Sequence, residues 1–458
     1  MMFPLSRRQL LSSSTCGMGM LALAGLCHRE SLADYSSPLA PKPPHHEPHA
    51  KHLIFLHMRG GPSAMETFER KPKLDELEGK PGQAKSRKLV GTRWNWKQWG
   101  ESGLWASDLL KHQAAHLDDL CILSGMHTDI SNHTPAMLQL HTGSFAFTRP
   151  SMGAWILYGL GTENQNLPGF VSICPPLING GAKNYGSAFL PAVYQGTAIG
   201  DIKTNVKDAR IGNIKNPELP PELQRRQLDF VQSLNRSYGQ RDPGDTQIDG
   251  VIESFELAFR MQTEMPTTFD LSGETQTTLD AYGIGDKKPS DNFGRQCLLA
   301  RRMIESGVRV VEVCDEFWDQ HNQLKKGHEA RAAATDQPIG ALLADLKQRG
   351  LLKDTLVLWG GEFGRTPDTA QKNLDGRDHN ANGYTMWLAG GGVKGGFQYG
   401  ATDELGYEAV EGRVHLHDLH ATILHLLGLD HKRLTYRYAG RDFRLTDVHG
   451  RVVQEIFA

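Results

Sequence analysis

Five short apolar runs constrain the fold more than any other feature of this chain. They are "HLIFLHM" (His52–Met58), "LDDLCILSGM" (Leu117–Met126), "GVRVVEVC" (Gly307–Cys314), "DTLVLWGG" (Asp354–Gly361) and "YTMWLAGGG" (Tyr384–Gly392). None shows strict polar alternation, and each is bounded by glycine or charge, the pattern of a strand covered on both faces. Between the third and fourth lies "EARAAATDQPIGALLADLKQRGLL", where Ile339, Leu342, Leu343 and Leu346 recur at helical spacing and Gly350 closes the end. Strand, helix and strand at this spacing predict an α/β domain with a mostly parallel sheet and a right-handed crossover. "LHDLHATILHLLGL" predicts a further buried helix. Residues 175–247, rich in Gly, Pro and Asn and then strongly charged, read as either an inserted cap over the sheet's carboxyl edge or a long surface excursion.

The length, 458 residues with 39% hydrophobic side chains, suffices for one large core. Fifty Lys and Arg against 52 Asp and Glu leave a formal charge of -2, which excludes a general affinity for nucleic acid or anionic lipid. At the N-terminus, "SRRQLLSSSTCGMGMLALAGLC" sets Arg7 and Arg8 before a short apolar run broken by Ser, Thr and Gly. It looks like a twin-arginine export signal with a cut after Ala33, leaving no stable membrane span and placing the mature chain in the periplasm or outside the cell. Residues 34–50, "SSPLAPKPPHHEPHA" at their centre, read as an extended Pro/His-rich linker before a domain over 51–458. Cys121, Cys174, Cys297 and Cys314 stand far apart with no CxxC pair and read as small core residues, not a thiolate site.

In open α/β sheets ligands bind beyond the carboxyl ends of the strands. After the third run come Asp319 and His321; after the fourth come Glu362 and Arg365, then Arg377, Asp378 and His379. One Asp-His pair in a loop is in most proteins a solvated pair or a turn cap. Three such groups behind successive strands point to a divalent metal site with Asp319, His321, Glu362, Asp378 and His379 as ligands. Nitrogen and oxygen donors without sulfur suit zinc first, with manganese, magnesium, calcium or iron as the other choices. Glu362 stands out, because no turn chemistry calls for Glu after Gly360 and Gly361; a salt bridge to Arg365 is the purely structural reading of both residues. Arg365 and Arg377 are the candidate anion-binding guanidiniums. His417 is a candidate supporting group.

The segments "IFLHMRGGPSAMETFERKPKL", "NHTPAMLQLHTGSFAFTRPSMGAWILYGLG", "WDQH", "GGEFGRTP", "GRDHN", "GYTMWLAGGGVKGGFQYGATDELGY" and "VHLHDLHATILHLLGLDHKRLTYRYAGRDFRLTD" resemble, in order and through nearly the whole mature chain, the exported sulfatase-like domain-of-unknown-function 1501 family. That family is grouped with the alkaline phosphatase superfamily. The resemblance implies an alkaline-phosphatase-like fold and a two-metal hydrolase of phosphate or sulfate esters, acting on a small or glycan-borne anionic substrate. It implies Asp319 and His321 as one ligand group, with Asp378 and His379 completing the set.

Two departures qualify that expectation. Phe363 follows Glu362 where a His is usual, and no Asp follows the first strand, only His57 before and Glu66 after the Gly-Gly turn. The Cys/Ser-x-Pro-x-Arg motif of common sulfatases is absent. The superfamily's nucleophile is a Ser or Thr at a helix N-terminus, where free N–H groups favour anionic charge. Ser63 and Thr134 both fit, Thr134 with Pro135 at a first helical position and His133 beside it as base or ligand. Ordinary turn and capping roles account for the same hydroxyls. The alternative function is a non-catalytic envelope binding protein that keeps the fold and one structural metal.

Overall fold

The computed structural model describes residues 37–209, 219–239 and 246–458. The signal-like segment 1–33, the first residues of the Pro/His-rich stretch and parts of 175–247 lie outside the described residues. Strands are numbered here in chain order: β1 (His52–Met58), β2 (Leu120–His127), β3 (Phe170–Ile173), β4 (Thr197–Ile199), β5 (Val310–Asp315), β6 (Thr355–Gly360), β7 (Tyr384–Ala389), β8 (Phe397–Tyr399) and β9 (Val414–His415). They form one sheet in the order β8-β2-β7-β6-β1-β5-β3-β4, with β9 alongside the end of β2. Only β7 runs against the rest. The α/β class and the mostly parallel sheet are those expected, and all five apolar runs supply strands.

The main helices are α1 (His133–Thr142), α2 (Met152–Leu160), α3 (Pro221–Gly239), α4 (Thr246–Phe269), α5 (Asp291–Glu305), α6 (Leu324–Gln348) and α7 (Leu416–Leu426). The sheet core is fully apolar where β6 meets β7, with Trp359 and Trp387 stacked at 6.0 Å. α7 closes on α1 through its histidines. His417 Nε2 bonds Gly143 O at 2.8 Å and His420 Nε2 bonds Leu140 O at 2.7 Å. His417 thus satisfies a carbonyl at the end of α1. Among the described residues no helix is long and apolar enough to cross a membrane.

Residues 37–50 differ from a free linker. They form no helix or strand, yet Leu39 and Ala50 are buried. Lys42 N–H donates to Leu160 O at 2.9 Å, and His49 and Ala50 N–H donate to Leu426 O at 2.8 and 2.9 Å. A proline-rich segment cannot join a sheet ladder, but its remaining N–H groups serve the orphan carbonyls at the ends of α2 and α7. The 175–247 excursion also has no clean boundary at 247, because α4 runs through it to Phe269. α3 and α4 pair through the Arg225–Glu256 bridge and the Gln232–Ile252 bond. Among the described residues of this stretch, Asn179 is the one bonded to the first turn of α1, accepting from Thr134 Oγ1 at 2.9 Å.

Candidate metal centre

The direction of the strands decides what meets at the carboxyl edge. β1, β5 and β6 end there and deliver Gly60, Asp319 and Glu362 on the following loops. α1 starts there after β2, with His133 at its first position. Because β7 is reversed, the segment leading into it arrives at the same edge, and His379 pairs with Arg365 in a two-residue antiparallel contact. The loops interlock closely. A Cβ on Gly60 would sit 2.8 Å from Asp319 N, and one on Gly61 would sit 2.6 Å from Phe363 O. Both glycines hold positive φ, 116° and 87°, so the pair allows a turn and an approach that no other residue permits.

Asp319 is the hub of the site. Its Oδ2 lies 3.1 Å from His133 Nε2; its Oδ1 lies 3.1 Å from His321 Nε2, 3.2 Å from His379 Nε2 and 2.6 Å from Arg365 Nη2. The other ring nitrogen of each histidine faces a group that can only accept. His133 Nδ1 meets Glu362 Oε1 at 2.7 Å, His321 Nδ1 meets Asp378 Oδ1 at 2.7 Å, and His379 Nδ1 meets Ser131 O at 2.6 Å. Each Nδ1 therefore carries the hydrogen, and in the neutral rings each Nε2 points a lone pair at a carboxylate. His321 Nε2 and His379 Nε2 stand only 3.0 Å apart. Facing lone pairs repel unless a cation lies among them. Protonation of the rings is one solution, and a metal ion is the other; histidines that bind metal commonly have the far nitrogen held by a carboxylate or carbonyl. Ligand atoms of His133, Asp319 and His379 all lie within 4.8 Å of one another, which makes them a candidate metal-ligand cluster.

The electrostatics agree with the geometry. Burial opposes charge on His133, but Asp319 and Glu362 on its two nitrogens raise it to about 9. Burial would neutralise Glu362 as well, yet His133 and His57 hold its carboxyl well below the usual range. Asp319 is held lower still, against its own desolvation, by His133, His379 and Arg365. Asp319 and His321 keep 38% and 41% of their side chains exposed, so the centre opens to solvent.

Of the five residues expected to bind metal, Asp319, His321 and His379 come together with their ligand atoms facing. Asp378 stands behind His321 and Glu362 behind His133, as outer partners of those rings. Glu362 is fully buried, accepts the Gly60 N–H at 3.1 and 3.2 Å, and does not pair with Arg365. Arg365 instead bonds Asp319, Gly61 O at 3.1 Å, Arg377 O at 3.2 Å and Gly60 O. Arg377 is buried against Glu66 Oε1, at 2.6 and 2.9 Å, and the carbonyls of Val90 and Thr366. Both guanidiniums are committed inside the protein, which leaves no free fork for an anion. His133 lies at the centre with Thr134 exposed beside it. Ser63 is buried, its N–H faces His328 Nε2 at 3.3 Å and its hydroxyl has no partner among the described residues.

Glu312 and His141 were not among the expected site residues; with His57 and Cys314 they form a second polar cluster, between the sheet and α1. A lone carboxylate in the run "GVRVVEVC" was the available signal. Glu312 is fully buried beside His141, whose Nε2 lies 2.7 Å away.

A family model described as a protein of unknown function, DUF1501, matches residues 50–457. The chain belongs to the DUF1501 family. No curated protein matches it. Among solved structures, the lipoteichoic acid synthase LtaP from Listeria monocytogenes has a TM-score of 0.39 at 8% identity, over 89% of this chain and 78% of that one. The phosphonate monoester hydrolase SpPMH from Silicibacter pomeroyi has a TM-score of 0.38 at 11% identity, over 89% and 76%. The PsFucS1 sulfatase from Pseudoalteromonas sp. has a TM-score of 0.35 at 12% identity, over 91% and 71%. Likeness this distant assigns no role to any residue of this DUF1501 chain.

Proposed function

We propose that this DUF1501 protein is an exported metal-dependent hydrolase of phosphate or sulfate esters, with its centre at Asp319. The observation that carries the reading is the convergence of three imidazole Nε2 atoms, each with its Nδ1 fixed from behind, on one solvent-accessible carboxylate. The alkaline phosphatase resemblance supplies the reaction class. A divalent ion held by His133, Asp319, His379 and His321, zinc being the best match to three nitrogens and a carboxylate, would supply Lewis acidity toward an ester oxygen and activation of a nucleophile.

The chain's own groups have separable tasks in this reading. Arg365 fixes Asp319, and Glu362 and Asp378 fix the rings of His133 and His321. The first turn of α1 receives the anionic group, since its N-cap Asn132 makes no side-chain bond to it. Thr134, exposed on that turn, is the nucleophile the geometry favours over the buried Ser63. The substrate is a small or glycan-borne anionic ester, and the location is the periplasm or the exterior, reached through Arg7 and Arg8. Arg7→Lys with Arg8→Lys should leave the protein in the cytoplasm; export that survives the change would show another route.

One observation favours the non-catalytic alternative, an envelope binding protein with a structural metal. Thr134 Oγ1 donates to Asn179 Oδ1, and among the described residues no base is bonded to it. Purified wild type and Asp319→Asn, assayed for metal content and against phosphate monoesters, phosphate diesters and sulfate esters, separate the readings. Metal and turnover lost together in Asp319→Asn support the hydrolase. Bound metal with no turnover of any ester supports the binding protein, and a wild type that takes up no divalent metal overturns both.

A further inference from the structure

The second cluster, sealed between the sheet and α1, has the donors of a metal site of its own. Strand register assembles it: His57 on β1 lies beside Cys314 on β5, and Ser172 on β3 lies beside Glu312, two residues before Cys314 and on the same face. Glu312 Oε1 is 2.7 Å from His141 Nε2 and 3.4 Å from His57 Nδ1, while its Oε2 accepts from Ser172 Oγ at 2.6 Å. Cys314 Sγ is 4.0 Å from His57 Nδ1. Ligand atoms of His57, Glu312 and Cys314 all lie within 4.8 Å of one another, and all three residues are buried.

Tautomers again leave lone pairs facing. His141 Nδ1 meets Met137 O at 2.8 Å and so carries the hydrogen, which turns a lone pair on Nε2 toward the Glu312 carboxylate. Among the described residues His57 Nε2 is buried with no hydrogen-bond partner, and Glu362 Oε2 lies 3.9 Å from it. A hydrogen on that Nε2 leaves His57 Nδ1 as a donor atom toward Glu312 and Cys314. Around a tetrahedral zinc, with metal–ligand bonds near 2.0 to 2.3 Å, neighbouring ligand atoms stand roughly 3.3 to 3.8 Å apart. The separations Glu312–His141, Glu312–His57 and His57–Cys314, at 2.7, 3.4 and 4.0 Å, bracket that range.

We propose that His57 Nδ1, His141 Nε2, Glu312 Oε1 and Cys314 Sγ bind a second divalent ion, zinc by the mixture of nitrogen, oxygen and sulfur. The ion ties β1, β5 and α1 beneath the outer centre, and the Cys314 thiol releases its proton to solvent as the metal–sulfur bond forms. Ser172 orients the carboxylate. Glu362 lies between the two centres, accepting from His133 on one side and facing His57 on the other. This assignment stands apart from the ester hydrolase reading, because it concerns different ligands and no reaction.

The test uses the full mature chain produced in zinc-depleted medium containing cobalt(II) alone. The outer centre has no sulfur, so a thiolate-to-cobalt charge-transfer band reports the inner one. The expected wild type holds two cobalt ions per chain and shows the band. Cys314→Ala should lose the band and bind cobalt at least tenfold more weakly at one site, while Asp319→Asn should keep the band and lose the other ion. Cys314→Ser serves where Cys314→Ala fails to fold, as judged by circular dichroism. A wild type without the band, with Glu312 and His141 then a plain buried ion pair, overturns the proposal, as does a band that survives both Cys314 variants. Failure of the outer centre reads differently, as one cobalt with the band intact.

Discussion

Glu362 shows how one side chain can support a candidate metal centre while standing behind the atoms that would hold the ion. It sends one oxygen to His133 Nδ1 at 2.7 Å and both to the Gly60 N–H, and it faces His57 on its far side. Glu362→Gln keeps an acceptor but removes the charge that fixes the His133 tautomer. Changes to such outer partners typically weaken metal affinity about 10- to 100-fold. Titration of the metal-free variant should show a loss of that size with stoichiometry retained; complete loss would make Glu362 a direct ligand, and no change would remove it from the centre. His133 and His57 each contribute to the pH response. Their pKa values are raised in the fold to about 9 and about 8, against burial, by the carboxylates beside them. The folded chain therefore holds protons on these two rings that unfolded histidines release above about 6.5. The stability they contribute to the metal-free protein is fully present below that pH and is lost as pH rises through 8 to 9. Nine other described histidines, His328 and His420 among them, are lowered by burial and act in the opposite sense. The two rings are therefore read by difference: the urea midpoint of wild type less that of a His57→Gln, His133→Gln variant should shrink from pH 6 to 7.5 to 9, and a constant or growing difference would contradict the assignment.

Loops and short strands, at the scale of elements, are held by guanidiniums that sequence alone offered as substrate hooks. Arg377 lies at 0% exposure on Glu66, which is equally buried. Removing one partner of such a pair leaves an uncompensated buried charge, at roughly 3 to 5 kcal/mol. Glu66→Gln should cost most of that in chemical denaturation while metal content stays unchanged. A stable Glu66→Gln with altered metal or substrate affinity would return Arg377 to the site. The apolar runs made β1, β2, β5, β6 and β7 legible because a strand buried on both faces has no other pattern. The reversal of β7 was not legible, since parallel and antiparallel burial look alike in one strand, yet it is this reversal that brings His379 to the edge. β3, β4, β8 and β9 span two to four residues each and carry too little periodicity to read. Asp319, His321 and His379 were legible as metal-type side chains behind strands. Glu312 was hidden because its partner His141 is 171 residues away, and only tertiary structure makes a carboxylate inside a strand tolerable.

At the scale of the whole molecule, the described part of the Pro/His-rich segment ties α2 to α7, elements far apart in sequence. Residues 37–50 run past the last turns of α2 and α7, with Leu39 at 0% exposure in the main core. Lys42 adds bonds from Nζ to Tyr158 O at 2.8 Å and to Tyr194 Oη at 3.1 Å. A free linker would make truncation harmless, whereas a packed strap predicts a measurable loss. A chain beginning at Lys51 exposes the apolar surface under Leu39 and leaves the carbonyls of Leu160 and Leu426 without these donors, so it should unfold at lower urea than one beginning at Ser37. Leu39→Ala isolates the packing part of that effect, at about 2 to 5 kcal/mol for a buried leucine. Both measurements leave the candidate metal centre untouched, because none of these contacts involves Asp319 or its histidines. Equal urea midpoints for the two truncations would return residues 37–50 to the status of a linker. Falling midpoints with unchanged metal content would establish residues 37–50 as a stabilising strap of the domain.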